Sequence, residues 1–261
     1  MADGGSLPVR LSCAKLSAIG MRSSNQDALG DAQQDALACF VMSDGAGGHE
    51  GGEVASQLVV EAILDKFAGE ASFGARALLS YVGHAIARVA QAKQATPAHQ
   101  DMSATAAALL VDRSNARAVW AHLGDTRIYH FRGARIRAVT RDHSLTQQLI
   151  DAGYAKAAEL RVHPQRNILF AAVGAEGETA PEPSADVIQL EDGDAFLLCT
   201  DGLWEWVLEA DMERTLAAAA DCDAWLAAMC ALADANIGAA GKVRDNYSVY
   251  AIRVQRQDTA T

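Results

Sequence analysis

At 261 residues, half of them hydrophobic, the chain is long enough for one large domain or two small ones around a sizeable core. Its 33 acidic against 22 basic residues give a formal charge of -11, which opposes the basic footprint of a nucleic-acid binder or of a protein held on an anionic membrane, so neither partner is expected. The five cysteines (Cys13, Cys39, Cys199, Cys222, Cys230) are scattered and form no C-x-x-C pair, which signals neither a disulfide framework nor a zinc site. Met1 to Ser6 carries no basic region followed by an apolar stretch, and no run of eighteen uncharged apolar residues occurs elsewhere, so a cytoplasmic protein in a reducing compartment is expected.

In chain order, Leu11 to Ala18 alternates loosely and meets a polar turn, Gly20 to Asp27, that carries Arg22. An arginine fork suits phosphate recognition, although read alone Arg22 is more simply a surface arginine and Asp27 a turn or cap residue. Leu37 to Met42 is a short apolar run, the pattern of a buried strand, and it leads into Ser43-Asp44-Gly45-Ala46-Gly47-Gly48-His49. Glycines there permit backbone angles that other residues avoid. A hard divalent cation takes oxygen ligands, and this turn offers the Asp44 carboxylate together with a backbone carbonyl, most simply that of Gly45. The plainer alternative makes Asp44 a cap for the helix predicted over Glu53 to Phe67.

A second helix is predicted over Ala75 to Ala92, closed by Thr96-Pro97. Ser103 to Val111 and Ala116 to Leu123 read as a hairpin around the polar cluster Asp112-Arg113-Ser114-Asn115, and Ile128 to Phe131 with Ile136 to Val139 read as another. Between them lies Gly124-Asp125-Thr126-Arg127, again a carboxylate at a strand end. Leu145 to Ile150 starts a helix with Ser144 as its N-cap. From Gly153 to Pro183 glycines and prolines break the periodicity, and a mobile flap is expected over about 145–183. Phe196 to Cys199 is an apolar strand delivering Thr200-Asp201-Gly202-Leu203. Helices follow over Asp211 to Ala220 and Asp223 to Ala235, the second ended by Gly238 and Gly241, and Asp245-Asn246 opens a strand over Tyr247 to Val254. No linker divides the chain, so 1–261 is expected to be one domain.

Asp44, Asp125, Asp201 and Asp245 thus all lie at strand edges beside Gly or Asn. If the strands pair, the edges converge. Converging carboxylates repel, and divalent cations relieve the repulsion, best as a pair about 3.5–4 Å apart. Oxygen-only ligation favours Mg²⁺ or Mn²⁺ over Zn²⁺.

Taken together the chain resembles the metal-dependent protein phosphatase family (type 2C), in its compact bacterial form. The resemblance rests on Arg22 with Asn25-Gln26-Asp27, Ser43 to His49, Ser103-Ala104-Thr105, Gly124 to Arg127, Arg141-Asp142-His143-Ser144, His163-Pro164 with Arg166-Asn167, Thr200 to Leu203, and Asp245-Asn246, all in order along nearly the whole chain. It implies an α+β fold, a four-layer α-β-β-α sandwich of two antiparallel sheets flanked by helix pairs. By position it implies that Asp44 bridges two metals, that the Gly45 carbonyl binds one of them, and that Asp201 and Asp245 complete the other. Arg22 would hold the substrate phosphate, Asp27 would hydrogen-bond metal-bound water, and Asp125 would contribute to a third metal. A metal-bridging hydroxide would then attack phosphorus in line, without a phosphoenzyme. The implied partners are phosphoserine or phosphothreonine proteins and a cognate Ser/Thr kinase with its targets, acted on by a monomer.

Two residues depart from the family pattern. Ala46 stands where animal members place a histidine, and His49 cannot simply inherit that role. Gln26 stands where many relatives have glutamate, so the second metal is expected to be held mainly through water. The alternative functions are a weak or silent relative that binds phosphoproteins, and a Ca²⁺-binding structural domain, against which no D-x-D-x-D-G loop occurs.

Overall fold

A computed structural model describes residues 8–46, 48–176 and 180–257, with residues 48–50 described by their backbone alone. In chain order the elements are β1 (Val9–Ala18), β2 (Asp27–Gln34), β3 (Leu37–Ala46), α1 (Gly48–Gly69), α2 (Ala75–Ala95), β4 (Ser103–Ala104), β5 (Ala106–Asp112), β6 (Arg117–Leu123), β7 (Arg127–Arg132), β8 (Arg135–Val139), α3 (Leu145–Asp151), β9 (Glu182–Pro183), β10 (Ile188–Gln189), β11 (Ala195–Cys199), α4 (Asp201–Trp204), α5 (Glu209–Ala218), α6 (Cys222–Ala240) and β12 (Tyr247–Arg256). One antiparallel sheet runs β1-β12-β11-β7-β8. The other runs β10-β6-β5-β3-β2, with β4 added to β3 and β9 to β6.

Side-chain parity builds the layers. Along β3, Ala38, Phe40 and Met42 point between the sheets, where they meet Leu109, Trp120, Phe196, Leu198, Tyr250 and Ile252. The alternate residues Cys39 and Val41 face α1 and α2 with Val59, Ile63, Phe67 and Leu78. Along β11, Phe196 and Leu198 enter the inter-sheet core while Leu197 and Cys199 pack under α4 to α6 with Trp204, Trp225 and Met229. Strands covered on both faces read as continuous apolar runs, because every second residue serves a different core. The result is the expected α-β-β-α sandwich.

Several boundaries differ from the sequence reading. The helix expected from Glu53 begins at Gly48, so His49 to Gly52 belong to its first turns rather than to a long glycine turn. Close packing explains those glycines: a Cβ on Gly45 would overlap the Gly52 carbonyl, and one on Gly51 would crowd Met102. The strand expected over Ser103 to Val111 breaks at Thr105, since Ser103-Ala104 pair with Ala46 and Gly45 while β5 pairs with the earlier part of β3. The helix expected over Asp211 to Ala220 spans Glu209 to Ala218, and the last helix runs through Gly238 to stop at Gly241, whose φ of 61° makes it the left-handed cap. β2 has no counterpart in the sequence reading. Its Asp27-Ala28-Leu29-Gly30-Asp31 pattern lacks apolar alternation, and it forms as the hairpin partner of β3.

The close approach of β3 to α1 makes a stability prediction. Gly45→Ala, which forces the strand off the Gly52 carbonyl, is expected to cost about 1–3 kcal/mol. Gly83→Ala, on the exposed side of α2 with open space around it, should stabilise by about 0.5–1 kcal/mol. Urea unfolding of both variants checks the contrast, and equal effects would refute the packing account.

Candidate metal centre

All four strand-edge carboxylates reach one cavity of about 400 Å³, together with Arg22, Gln26, Gly45, Thr105, Asn167 and Asn246. The two sheets deliver them from different directions. Asp44 is near the end of β3, and its register partner across the hairpin is Asp27, the first residue of β2. Asp125 sits in the short link that carries the chain from β6 in one sheet to β7 in the other, so the expected turn is the crossover between layers. Asp201 directly follows β11 and starts α4, and Asp245-Asn246 directly precede β12. Asp44 therefore lies within β3, with Gly45 and Ala46 still in the strand, and is not the cap of α1.

Hydrogen bonds fix the backbone around each carboxylate. The Asp44 N–H donates to Thr105 Oγ1 at 2.8 Å, and that hydroxyl shares a 2.6 Å bond with Thr126 Oγ1, so one threonine pair ties Asp44 to the Asp125 link. The Trp204 indole donates to the Asp125 carbonyl at 3.0 Å. Beneath it, the Arg127 guanidinium stacks 3.6 Å from the Trp204 ring and forks onto Asp142 at 2.8 and 2.7 Å, a buried bidentate pair. Thr200 donates to Asp27 Oδ2 at 2.9 Å and accepts the Ser248 N–H, which joins β11 and β12 behind the site. Asn246 accepts the Gln26 N–H and donates to the Ile19 and Ser24 carbonyls, which anchors the loop carrying Arg22. The Arg22 guanidinium, half exposed, donates to Asp245 Oδ2 at 2.5 Å.

Thr105, Thr200 and Asn246 are support residues absent from the predicted site. All three stand in the quoted motifs, but nothing in their own chemistry distinguishes them from surface residues. His49 carries no assignment, because its side chain lies outside the described residues.

Electrostatically the cluster is under-compensated. Burial pushes the Asp44 carboxyl well above the usual range, and the charges of Asp27, Asp201, Asp125 and Asp245 push it further. Asp201 is raised for the same reasons, first by burial, then by Asp125, Glu205 and Asp245. Burial brings Asp27 to about 7, and burial with the nearby Asp142 brings Asp125 to about 7 against the pull of Arg127. Asp27 Oδ1 is a buried acceptor without a hydrogen-bond partner. The carboxylates, with an orphaned oxygen among them and one arginine at the rim to offset charge, present a ligand set of oxygens alone, which suits Mn²⁺ or Mg²⁺.

Another group of possible ligands, His122, His143 and Glu182, has one atom from each within 4.8 Å of the others. Its rings stack nearly parallel, 18° apart with centroids at 4.7 Å. A metal bonds in the plane of an imidazole, so two stacked rings do not converge on one ion, and this group is a poor cage.

The raised carboxyls set the pH dependence of the chelated protein. In the unfolded chain these groups ionise near pH 4, whereas folded Asp27 and Asp125 keep their protons to about 7. The unfolded state therefore sheds protons first as pH rises, and stability falls between about pH 4 and 7. Groups with lowered values, such as Asp194 at about 2, act below this window. In EDTA the melting temperature should drop from pH 5 to pH 8, with a smaller drop for Asp125→Asn. A flat profile would contradict the electrostatic reading.

The comparisons agree with this geometry. Residues 16–245 match the family model described as Protein phosphatase 2C. The serine/threonine phosphatase stp of Listeria monocytogenes is 32% identical over 184 residues, covering 67% of this chain and 70% of the relative. The crystal structure of the Mycobacterium tuberculosis serine/threonine phosphatase PstP/Ppp superposes with a TM-score of 0.79 at 27% identity, covering 94% of this chain and 99% of that one. The catalytic domain of PstP in complex with two manganese ions gives 0.78 at 26% identity, covering 95% and 99%. A family match over most of the chain, a shared fold and a convergent carboxylate cleft have one reading: the chain belongs to the protein phosphatase 2C family.

Proposed function

We propose that the protein is a Mn²⁺- or Mg²⁺-dependent serine/threonine protein phosphatase whose metals are held by Asp44, the Gly45 carbonyl, Asp201 and Asp245, with Asp125 serving a further, more peripheral ion. The observation that carries this reading is the convergence of four buried or half-buried carboxylates from the ends of β3, β6, β7, β11 and β12 on one cleft, with an arginine at its rim. The relatives named as serine/threonine phosphatases, and the manganese bound by one of them, support the reaction and the cofactor. A silent phosphoprotein-binding relative has no support, since every carboxylate of the set is present and faces the cavity.

When bound, the cations supply Lewis-acid activation of water and neutralise charge on the phosphoryl oxygens. The chain's own residues do the rest. Arg22, held at the rim through Asp245, presents a planar fork that matches two phosphate oxygens and orients the ester. Asp27, fixed by Thr200 through Oδ2, keeps Oδ1 free to accept a hydrogen bond from the attacking water. Gln26, being neutral, adds no charge to the metal set.

The phosphoserine or phosphothreonine protein, an opposing kinase, the monomeric state and the cytoplasmic location belong to the same proposal. Among the described residues no helix is long and apolar enough to cross a membrane. The whole chain would act as one catalytic domain, with 145–183 as a flap over the site. Supporting the flap, Asn167, Leu169 and Ala172 line the cleft. Arg166 pairs with Glu205, and Arg161 donates to Glu209 at 2.9 Å and to the Trp204 carbonyl at 3.0 Å, which latches the segment against α4 and α5.

Turnover of a phosphothreonine peptide should require Mn²⁺ or Mg²⁺ and vanish in EDTA; undiminished activity in metal-free protein would end the proposal. Asp44→Asn and Asp201→Asn should lower turnover at least about a hundredfold, since even indirect changes at metal sites cost about 10–100-fold. Mn²⁺ at a hundredfold excess over its Kd should stabilise the wild type by about 2.7 kcal/mol and either variant by less. Near-normal turnover of Asp201→Asn at low Mn²⁺ would remove that ligand from the set.

A further inference from the structure

The link that carries Asp125 is gripped by one side chain that no functional role yet explains. The Gly124 N–H donates to His143 Nδ1 at 3.1 Å, and the His143 N–H donates back to the Gly124 carbonyl at 3.0 Å. A backbone N–H can only donate, so Nδ1 is the acceptor and the ring proton sits on Nε2. That edge lies 3.3 Å from Glu182 Oε2, on the strand that pairs with β6 at His122. His122 covers one face of the ring, and the Phe170 ring lies 5.6 Å away. The His143 carbonyl accepts the Phe170 N–H at 2.9 Å, so the same residue also joins the segment whose Asn167 and Leu169 line the cleft.

Gly124 adds a second constraint. Its φ of 106° lies in the region that favours glycine, and a Cβ there would run into Thr105, which holds Asp44. The link has no strand partners of its own, so its path depends on hydrogen bonds to His143, Trp204 and Thr105. Of these, only the His143 imidazole meets the residue immediately before Asp125 from the flap side.

We propose that His143 is a positioning residue for phosphoryl transfer: its imidazole Nδ1 fixes the Gly124-Asp125 link, and its backbone couples that link to the segment closing over the cleft. This rests on the reading that Asp125 contributes to turnover through a peripheral cation. The role is that of a supporting partner that orients a ligand-bearing group, and such partners are commonly worth about 10–100-fold in affinity or activity.

Replacement by isosteres separates the ring's two edges. His143→Asn retains an acceptor where Nδ1 stands. His143→Gln reaches toward Glu182 and leaves the Gly124 N–H without an acceptor. Phosphopeptide kinetics at saturating Mn²⁺, calorimetric Mn²⁺ titration and melting temperature would be measured on both variants, on Asp125→Ala, and on Asp125→Ala combined with His143→Gln. The expected result is that His143→Gln loses about tenfold or more in kcat with tight Mn²⁺ binding retained, as Asp125→Ala does, while His143→Asn keeps the rate within about threefold. In the Asp125→Ala background His143→Gln should cost nothing further. If Asp125→Ala is slow but His143→Gln is as fast as wild type, or the two losses multiply, His143 does not act through Asp125 and the proposal falls alone. Should Asp125→Ala turn over normally, the reading beneath it falls as well. Should His143→Gln fail to fold, His143→Asn still decides, because a folded and slow Asn variant contradicts an Nδ1 acceptor role.

Discussion

The constraint on which the rest depends is mutual repulsion among carboxylates that the fold forces together. Asp27 and Asp44 are direct cross-strand partners, and Asp201, Asp125 and Asp245 each raise the cost of ionising one or both of them. Like charges on opposed strands are destabilising, and burial removes the water that would screen them. A soluble domain with no ligand to bind gains nothing from such a pair. Two divalent cations reverse the sign of the problem, since the same buried oxygens that repel one another become a preorganised ligand set.

The surroundings hold that set still rather than relieve it. Thr105 connects Asp44 to Thr126, Thr200 connects Asp27 to β12, and Asn246 pins the Arg22 loop, so much of the set is positioned by neutral hydroxyls and amides that add no charge. The strong cation in the vicinity, Arg127, is spent on Asp142 and on the Trp204 face, one step away from the cleft. Arg127 therefore supports the Asp125 link through Trp204 and only partly offsets the charge of Asp125. Two-sheet architecture makes this possible, because the ends of β3, β6, β11 and β12 meet at one edge of the sandwich while their apolar residues fill three separate cores.

Much of this was legible in the residues. Asp44, Asp125, Asp201 and Asp245 stand at the ends of apolar runs, and a buried strand must emerge at a sheet edge, so their convergence follows once the strands pair. Asp27 was harder, since β2 carries Gly30, Asp31 and two glutamines and takes its conformation from β3 rather than from its own pattern. Helix ends moved for a related reason. Propensity places a break at His49 to Gly52 and at Gly238, but tertiary packing of Gly45 against Gly52 and of α6 under the sheet keeps both stretches helical. His143 was visible as a motif member, yet its purpose lies in a hydrogen bond to a residue nineteen positions earlier, which only the fold supplies.

The central claim is that the carboxylate cleft, and not the histidine group beside it, is the cation site. Anomalous diffraction at the manganese edge from crystals grown with Mn²⁺ tests it most directly. The account predicts two strong peaks bounded by Asp44, the Gly45 carbonyl, Asp201 and Asp245, with any weaker peak near Asp125. An empty cleft at millimolar Mn²⁺, or manganese bound between His122, His143 and Glu182 instead, would contradict it.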